Sequence, residues 1–214
     1  MINLKDLLEL NKMGYSDTVK SKHQTDMNKA EVLISEVAVP NKPFPENSSR
    51  CVRNELQWLV NYNNGIIDED FVKKGDDINK VFKEYCELYN LNYDEDYYKK
   101  ILKESKRIIL RLKYHYNRPR PNQLAEYYGV EEFNHFEIDS MKTPAYPSGH
   151  STQAHLFACL LAKEHSGHYN QFKQLANMIS HSRLMARAHY PSDCKFGEEV
   201  AQHILGKIIQ KKYD

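Results

Sequence analysis

Apolar side chains recur at intervals of three and four along most of this sequence. Between Asp94 and Tyr116 they fall at Tyr97, Tyr98, Ile101, Leu102, Ile108, Ile109, Leu112 and Tyr116, with Ser105 as a small gap. That spacing is one face of a single long helix. Asp94, Glu95 and Asp96 stand where a first helical turn prefers negative charge. Cys51, Val52, Leu56, Leu59 and Val60 predict a helix over Arg50–Tyr62, with Ser48 or Ser49 as its cap. Phe71, Ile78, Val81, Phe82, Tyr85 and Leu88 predict helix over Asp70–Leu91, with Gly75 as a break. Ser148–His165, Tyr169–Arg187 and Asp193–Lys211 complete the set. Strand-type alternation is nearly absent. The pattern predicts an all-α fold, a bundle of roughly six to eight helices.

Prolines punctuate the helices. Val39–Ser49 carries three prolines in six residues and reads as an extended loop. Asn117–Asn122, NRPRPN, ends the long helix, because a residue before proline avoids helical geometry. Residues 123–146 form a long connection of the kind that often carries function. Residues 14–28 are polar and read as loosely ordered, so residues 1–30 are expected to be a peripheral extension of a single domain spanning 1–214.

Composition narrows the picture. Apolar residues make up 41% of 214, enough to bury a core and to exclude overall disorder. The formal charge of +1 gives no global pull toward a nucleic-acid polymer or a membrane surface. The longest apolar run, Leu156–Ala162, is far short of the roughly 20 residues of a spanning helix. The N-terminus has no secretory core, so the chain reads as soluble and cytoplasmic. On that reading Cys51, Cys86, Cys159 and Cys194 are reduced.

Three clusters in the C-terminal half have the chemistry of a site. Arg111, Lys113, Arg118 and Arg120 crowd a helix end, and prolines stiffen the backbone that carries the last two, which suits fixed anion binding. Pro147-Ser148-Gly149-His150 precedes an apolar helix. Ser148 is a natural N-cap there, and the free N–H groups at Gly149 and His150 suit a phosphate-like anion. Ser182, Arg183, His189 and Asp193 form the third cluster. An aspartate four residues after a histidine can hold one ring nitrogen and leave the other free to attack or to accept a proton. Together the clusters supply a nucleophile, a general acid and cations for phosphoryl transfer.

The three clusters resemble the type 2 phosphatidic acid phosphatase superfamily, which includes the class A acid phosphatases and the vanadium-dependent haloperoxidases. Its pattern is K-x6-R-P, then P-S-G-H, then S-R-x5-H-x3-D. Pro147–His150 meets the second motif, and Ser182, Arg183, His189 and Asp193 meet the third. In the first, Arg118 and Pro119 match, the lysine position seven residues earlier is Arg111, and Lys113 lies five before Arg118; either supplies the cation. The resemblance implies a helical bundle in which residues 111–193 bring the site together at one end. It implies that His189 attacks phosphorus to form a phosphohistidine, oriented by Asp193, and that His150 protonates the leaving oxygen. Arg118, Arg183, Lys113 or Arg111, Ser148 and Gly149 would hold the phosphoryl oxygens. No metal or other cofactor is implied, because arginines take the place of a divalent ion. Vanadate enters as an inhibitor or, in the haloperoxidase alternative, as the prosthetic group. A non-catalytic anion-binding module on the same fold is the alternative of another class.

With no spanning helix, the expected substrate is a small soluble phosphomonoester or diphosphate, with no membrane and no nucleic-acid polymer as partner. A nucleotide is one candidate, since Tyr127, Tyr128 and Tyr146 lie near the motifs and offer stacking surfaces. A homo-oligomer is left open. Asn47-Ser48-Ser49 resembles a loop lying over the site mouth in soluble members. His165 and His168 have no third ligand at zinc-finger spacing, and His115, His135, His155, His181 and His203 read as surface or core histidines.

Overall fold

The computed structural model of the chain describes residues 4–35, 37–39, 41–130 and 133–211. Among these residues every regular element is helical: α1 Leu4–Lys12, α2 Ser21–Met27, α3 Arg50–Asn61, α4 Glu69–Lys74, α5 Ile78–Leu88, α6 Glu95–Tyr116, α7 Pro121–Ala125, α8 Gly149–Glu164, α9 Tyr169–Met185 and α10 Pro191–Lys211. The expected six to eight are joined by short helices that periodicity does not reveal. A helix of five to nine residues shows at most about two and a half turns of pattern.

Local chemistry explains the long elements. Ser49, Asp68, Asp77, Asp94 and Ser148 each cap a helix by accepting a backbone N–H with the side chain. Gly75 ends α4, so the predicted Asp70–Leu91 helix is two helices, and a Cβ there would lie 2.1 Å from Ser182 Oγ. The α4–α5 turn therefore packs directly on α9. Asn117 closes α6 in the left-handed region (φ 48°), which asparagine tolerates better than most residues.

α8 is the centre of the bundle. It is buried nearly all round, with Ala154, Leu156, Phe157, Leu160 and Leu161 inside, and it packs against α9, α10, α5 and α6. A second apolar cluster joins Leu10, Val52, Leu56 and Leu59 to Leu124, Leu184 and Tyr190, seating α1, α3 and α7 on the α9–α10 junction. α8 and α10 begin, and α6 and α9 end, at one end of the bundle, where Ser148 N–H donates to the Asp193 carbonyl at 3.0 Å.

Residues 14–23 pack against the end of α6. Tyr15 N–H donates to the Asn117 carbonyl, Asn117 Nδ2 donates to the Ser16 carbonyl, and His23 Nδ1 lies 2.6 Å from Tyr114 Oη. A Cβ at Gly14 would meet Asn117 Nδ2 at 2.4 Å, so a larger residue there displaces the side chain that bonds the Ser16 carbonyl. Among the described residues no helix is long and apolar enough to cross a membrane. All four cysteines are free.

Candidate active site

The α9–α10 turn sets the position of His189. α9 ends in a Schellman arrangement: Arg187 N–H donates to Leu184 O at 2.9 Å and Ala188 N–H to Arg183 O at 3.1 Å. The left-handed position falls on Arg187 (φ 54°), where glycine is usual. Its guanidinium offsets that strain by donating to the carbonyls of Asn134, Val60 and Gly65. Two residues on, His189 is buried, with its ring held from both sides. Nδ1 is 3.2 Å from Asp193 Oδ2, and Arg120 Nη1 is 3.0 Å from Nε2. Arginine only donates and carboxylate only accepts, so Nδ1 carries the proton and Nε2 keeps its lone pair. Burial, then Arg120, then Lys113 hold the His189 pKa well below its usual 6.5, so the ring is neutral.

Asp193 is fully buried and fully partnered. Oδ2 also accepts Tyr190 N–H at 2.9 Å, and Oδ1 accepts Arg118 Nη1 at 2.5 Å. Burial alone would raise its pKa; Arg118, His189 and the Tyr190 N–H outweigh burial and bring it to about 2. Arg118 in turn donates to Ser192 Oγ and to Glu55 Oε2, and its plane lies 3.9 Å from the Tyr190 ring centroid. Glu55 also accepts the Ser192 N–H at 2.7 Å.

A cavity of about 330 Å³ lies in front of His189. Lys113, Ile109 and Lys106 of α6, Gly149, His150 and Gln153 of α8, and Ser140 and Thr143 of the long connection line it. His23 of α2 completes the wall, so the N-terminal segment expected at the periphery borders the site. Lys113 is buried and donates to the Pro144 carbonyl at 2.5 Å; burial and then Arg120 depress its pKa well below 10.5. Arg120 is also fully buried, with bonds to the carbonyls of Ala188, Ser140 and Thr143 besides His189. These bonds tie the connecting loop to the His189 turn, and burial lowers the Arg120 pKa to about 10.

His150 stands in the first turn of α8. Its Nε2 lies 3.1 Å from the Asp76 carbonyl and 3.3 Å from Asp76 Oδ1. The same Oδ1 accepts Arg183 Nη1 at 2.6 Å, and Arg183 Nη2 donates to Val72 O at 2.6 Å. Asp76 therefore bridges His150 and Arg183, and its pKa falls to about 2 through the His150 hydrogen bond first. Burial lowers the His150 pKa from 6.5, and the Asp76 bond pulls part of the way back.

The sequence-predicted residues do not all meet at the cavity. Lys113, Gly149, His150 and His189 line it. Arg111 points outward to Glu31 and the Met27 carbonyl, and of the two first-motif cations it is Lys113 that lines the cavity. Arg118 lies on the far side of Asp193, and Arg120 reaches His189 instead. The first motif is thus read two residues later: Lys113, six residues, then Arg120-Pro121 meets K-x6-R-P in full. The doubled Arg-Pro pair offered two frames, and matching its first copy forced Arg111 into the lysine position. Ser148 is buried with its hydroxyl toward Ser151 N–H, capping α8, and does not line the cavity. Arg183 is held behind Asp76 and does not line it.

Other expected contacts lie elsewhere. None of Tyr127, Tyr128 and Tyr146 borders the cavity. Tyr127 is exposed, Tyr128 bonds the Asn47 carbonyl, and Tyr146 is buried against Phe196. Asn47 donates to the carbonyls of Leu10 and Met13, and Ser49 caps α3, so this loop fastens α1 to α3. His165 and His168 bond to Asn92 O and Tyr85 Oη. Among the described residues no three His, Cys, Asp or Glu side chains gather in a metal-binding group. Sequence places Arg120 in the basic cluster without a role in the motif, and does not point to Asp76 or Glu55. A correct motif frame identifies Arg120 from sequence; Asp76 and Glu55 carry no local signal.

Compared with known families, residues 105–205 match the PAP2 superfamily model. No curated protein matches the chain.

Proposed function

We propose that this member of the PAP2 superfamily is a phosphatase working through a phosphohistidine. The observation that carries the reading is the His189 ring, protonated at Nδ1 against Asp193 and neutral, with Nε2 accepting from Arg120, at a cavity that Lys113 and His150 also line. His189 Nε2 attacks phosphorus and the bond to the leaving oxygen breaks. Lys113, Arg120 and the Gly149 N–H stabilise charge on the equatorial oxygens. Asp193 stabilises the positive charge that develops on the ring. His150 gives its proton to the leaving oxygen, then takes one from the water that attacks the phosphohistidine and releases inorganic phosphate. Arg118, Arg183 and Asp76 are positioning residues: Arg118 fixes Asp193, and Arg183 fixes Asp76, which orients His150.

The phosphoryl cage consists of side-chain cations and a backbone N–H, so turnover is expected to survive a chelator. Orthovanadate, which adopts five-coordinate geometry and bonds to a histidine nitrogen, is expected to inhibit at low concentration. The direct test is a rapid alkaline denaturing quench of the protein during turnover of p-nitrophenyl phosphate, which preserves the acid-labile P–N bond, with mass spectrometry at neutral to alkaline pH of the peptide bearing His189. An added phosphoryl group on His189 supports the reading. Turnover with no phosphoprotein overturns the covalent route, loss on chelation restored by a divalent ion overturns the cage, and halide peroxidation in place of hydrolysis turns the reading to the haloperoxidase.

A further inference from the structure

Past His150 the catalytic cavity opens into a wider groove of about 730 Å³, and Lys106, His150 and Gln153 line both spaces. One wall is α6, where Lys99, Lys103 and Lys106 recur at helical spacing on one face. The other is the end of α4 and the turn after it, with Lys73, Asp76 and Asp77. The carboxylates are committed: Asp76 to Arg183 and His150, Asp77 to the Lys80 N–H at the start of α5. Among the described residues the lysines are held by exposed pairs, Lys73 to Glu69, Lys99 to Glu95 and Lys106 to Asp26 at 4.0 Å, and Lys73 also lies 5.5 Å from the Phe136 ring centroid. Such pairs are weak and exchange easily. Lys103 makes no ion pair among the described residues. In a chain of net charge +1, four lysines around one groove are a local excess.

The position of the excess gives it meaning. An in-line displacement puts the nucleophile and the leaving group on opposite sides of phosphorus. His189 stands on one side, and on the other, beyond His150, lies the lysine groove. We propose that the groove holds a second phosphoryl group on the leaving side, so that the substrate is a terminal phosphoanhydride rather than an ester of a neutral alcohol. This deepens the phosphatase reading and rests on it. His189 Nε2 bonds to the terminal phosphorus as the anhydride P–O bond breaks. The electron pair goes to the bridging oxygen, which leaves as part of an anionic phosphate balanced by the lysines and takes the His150 proton. Water then cleaves the phosphohistidine and returns a proton to His150. The low His150 pKa fits such a leaving group, which needs less protonation than an alkoxide. Among the described residues no Tyr, Phe or Trp side chain lines the groove to stack on a nucleobase, and its charged lining favours the phosphoryl group.

The experiment compares kcat/KM for inorganic pyrophosphate, ADP and p-nitrophenyl phosphate in the wild-type chain, in K99A/K103A and in K103E. Phosphate and p-nitrophenolate are leaving groups of similar basicity, so the comparison isolates the second phosphoryl group. Both anhydrides are expected to lose about 10–100-fold, and the aryl ester less than about twofold. Pyrophosphate and ADP should fall together; a loss confined to ADP would show that the groove reads a nucleoside and overturn the assignment. Proportional losses for all three, no loss for any, or a wild-type chain that hydrolyses the ester but neither anhydride would overturn the groove alone. A wild-type chain that hydrolyses none of the three would overturn the phosphatase reading and this one with it. K80A, a lysine outside the groove, controls for general charge.

Discussion

The two histidines of the site live in opposite surroundings. His189 is buried, and the groups around it are buried in turn: Asp193, Arg118, Arg120 and Lys113 are each at most 5% exposed. Nearly every donor there has a partner. His150 has 16% of its side chain exposed, and the Asp76 that orients it is 51% exposed, at the head of an open groove. The difference matches what a covalent route asks of each group. A nucleophile needs one tautomer and one direction, which a dry, over-determined setting provides. An acid that donates and then accepts a proton needs a pKa that can move with the ligand and contact with the leaving group and water. The rigid wall is expected to carry the large effects on chemistry, and the open wall the effects on leaving group and pH.

The largest break falls on the rigid wall. His189→Ala removes the lone pair, and the Thr143 hydroxyl beside Arg120 donates to the Ser140 carbonyl and has no base to activate it. The phosphorylated species should vanish and kcat drop by about ten-thousand-fold or more. A variant that kept most of the wild-type rate would remove His189 from the role.

The next effect separates two arginines that the sequence makes look alike. Arg120→Ala takes a cation from beside the attacking nitrogen and frees the carbonyls of Ala188, Ser140 and Thr143; it should lower kcat/KM by about 100–1000-fold, with the helical signal in circular dichroism retained. Arg118→Met leaves Asp193 and Glu55 without their buried cation. It should cost about 3–5 kcal/mol of stability, a fall in Tm of about 10 °C, while the KM for substrate moves little. If Arg118→Met raised KM strongly without lowering Tm, the assignment of the two arginines would be reversed.

That reversal marks how far the sequence can be read. The long helices α3, α5, α6, α8, α9 and α10 follow from periodicity and capping residues, and their ends agree within a few residues. P-S-G-H and S-R-x5-H-x3-D place His150, His189 and Asp193 because the first sits at the start of α8 and the second crosses the single turn from α9 to α10, where sequence distance becomes spatial distance. Legibility ends where a contact crosses the fold. Asp76 meets His150 from 74 positions upstream, and Glu55 meets Arg118 from 63. Nothing in the turn DD at Asp76-Asp77 says which carboxylate reaches α9. Gly75 held a clue, since a glycine before two aspartates allows the close approach to Ser182, but the sequence reads it only as a helix break. The wall made by His23 was hidden for the opposite reason: polar residues without periodicity look loosely ordered until the α6 end they cover is placed.

The smallest effect expected sharpens the open wall through its pH dependence. His189 must be neutral to attack, and its pKa is held well below 6.5, so protonation limits the rate only at more acidic pH. His150 must carry a proton to donate it, and burial with Arg183 also lowers its pKa below 6.5. As pH rises through that lowered value the free protein loses its acid. Both limits therefore move to the acid side, and kcat/KM for an alkyl phosphate should be greatest below pH 6.5 and fall toward neutrality. A bound phosphate dianion is a full charge beside His150 and raises its pKa, so the basic limb of kcat should lie at higher pH than that of kcat/KM. Asp76 acts in the same direction as the dianion. Asp76→Asn removes a negative charge that helps keep the proton on His150 and should shift the basic limb of kcat/KM further toward acid, with a loss of about tenfold for the alkyl ester near pH 6. An activated aryl phosphate, whose leaving group departs with little help, should show a shallower limb and little effect of Asp76→Asn. A uniform loss for both substrates at every pH, with the limb unmoved, would show that Asp76 only supports the fold. A kcat/KM that rose through pH 7 for the alkyl ester would show that His150 is not the acid.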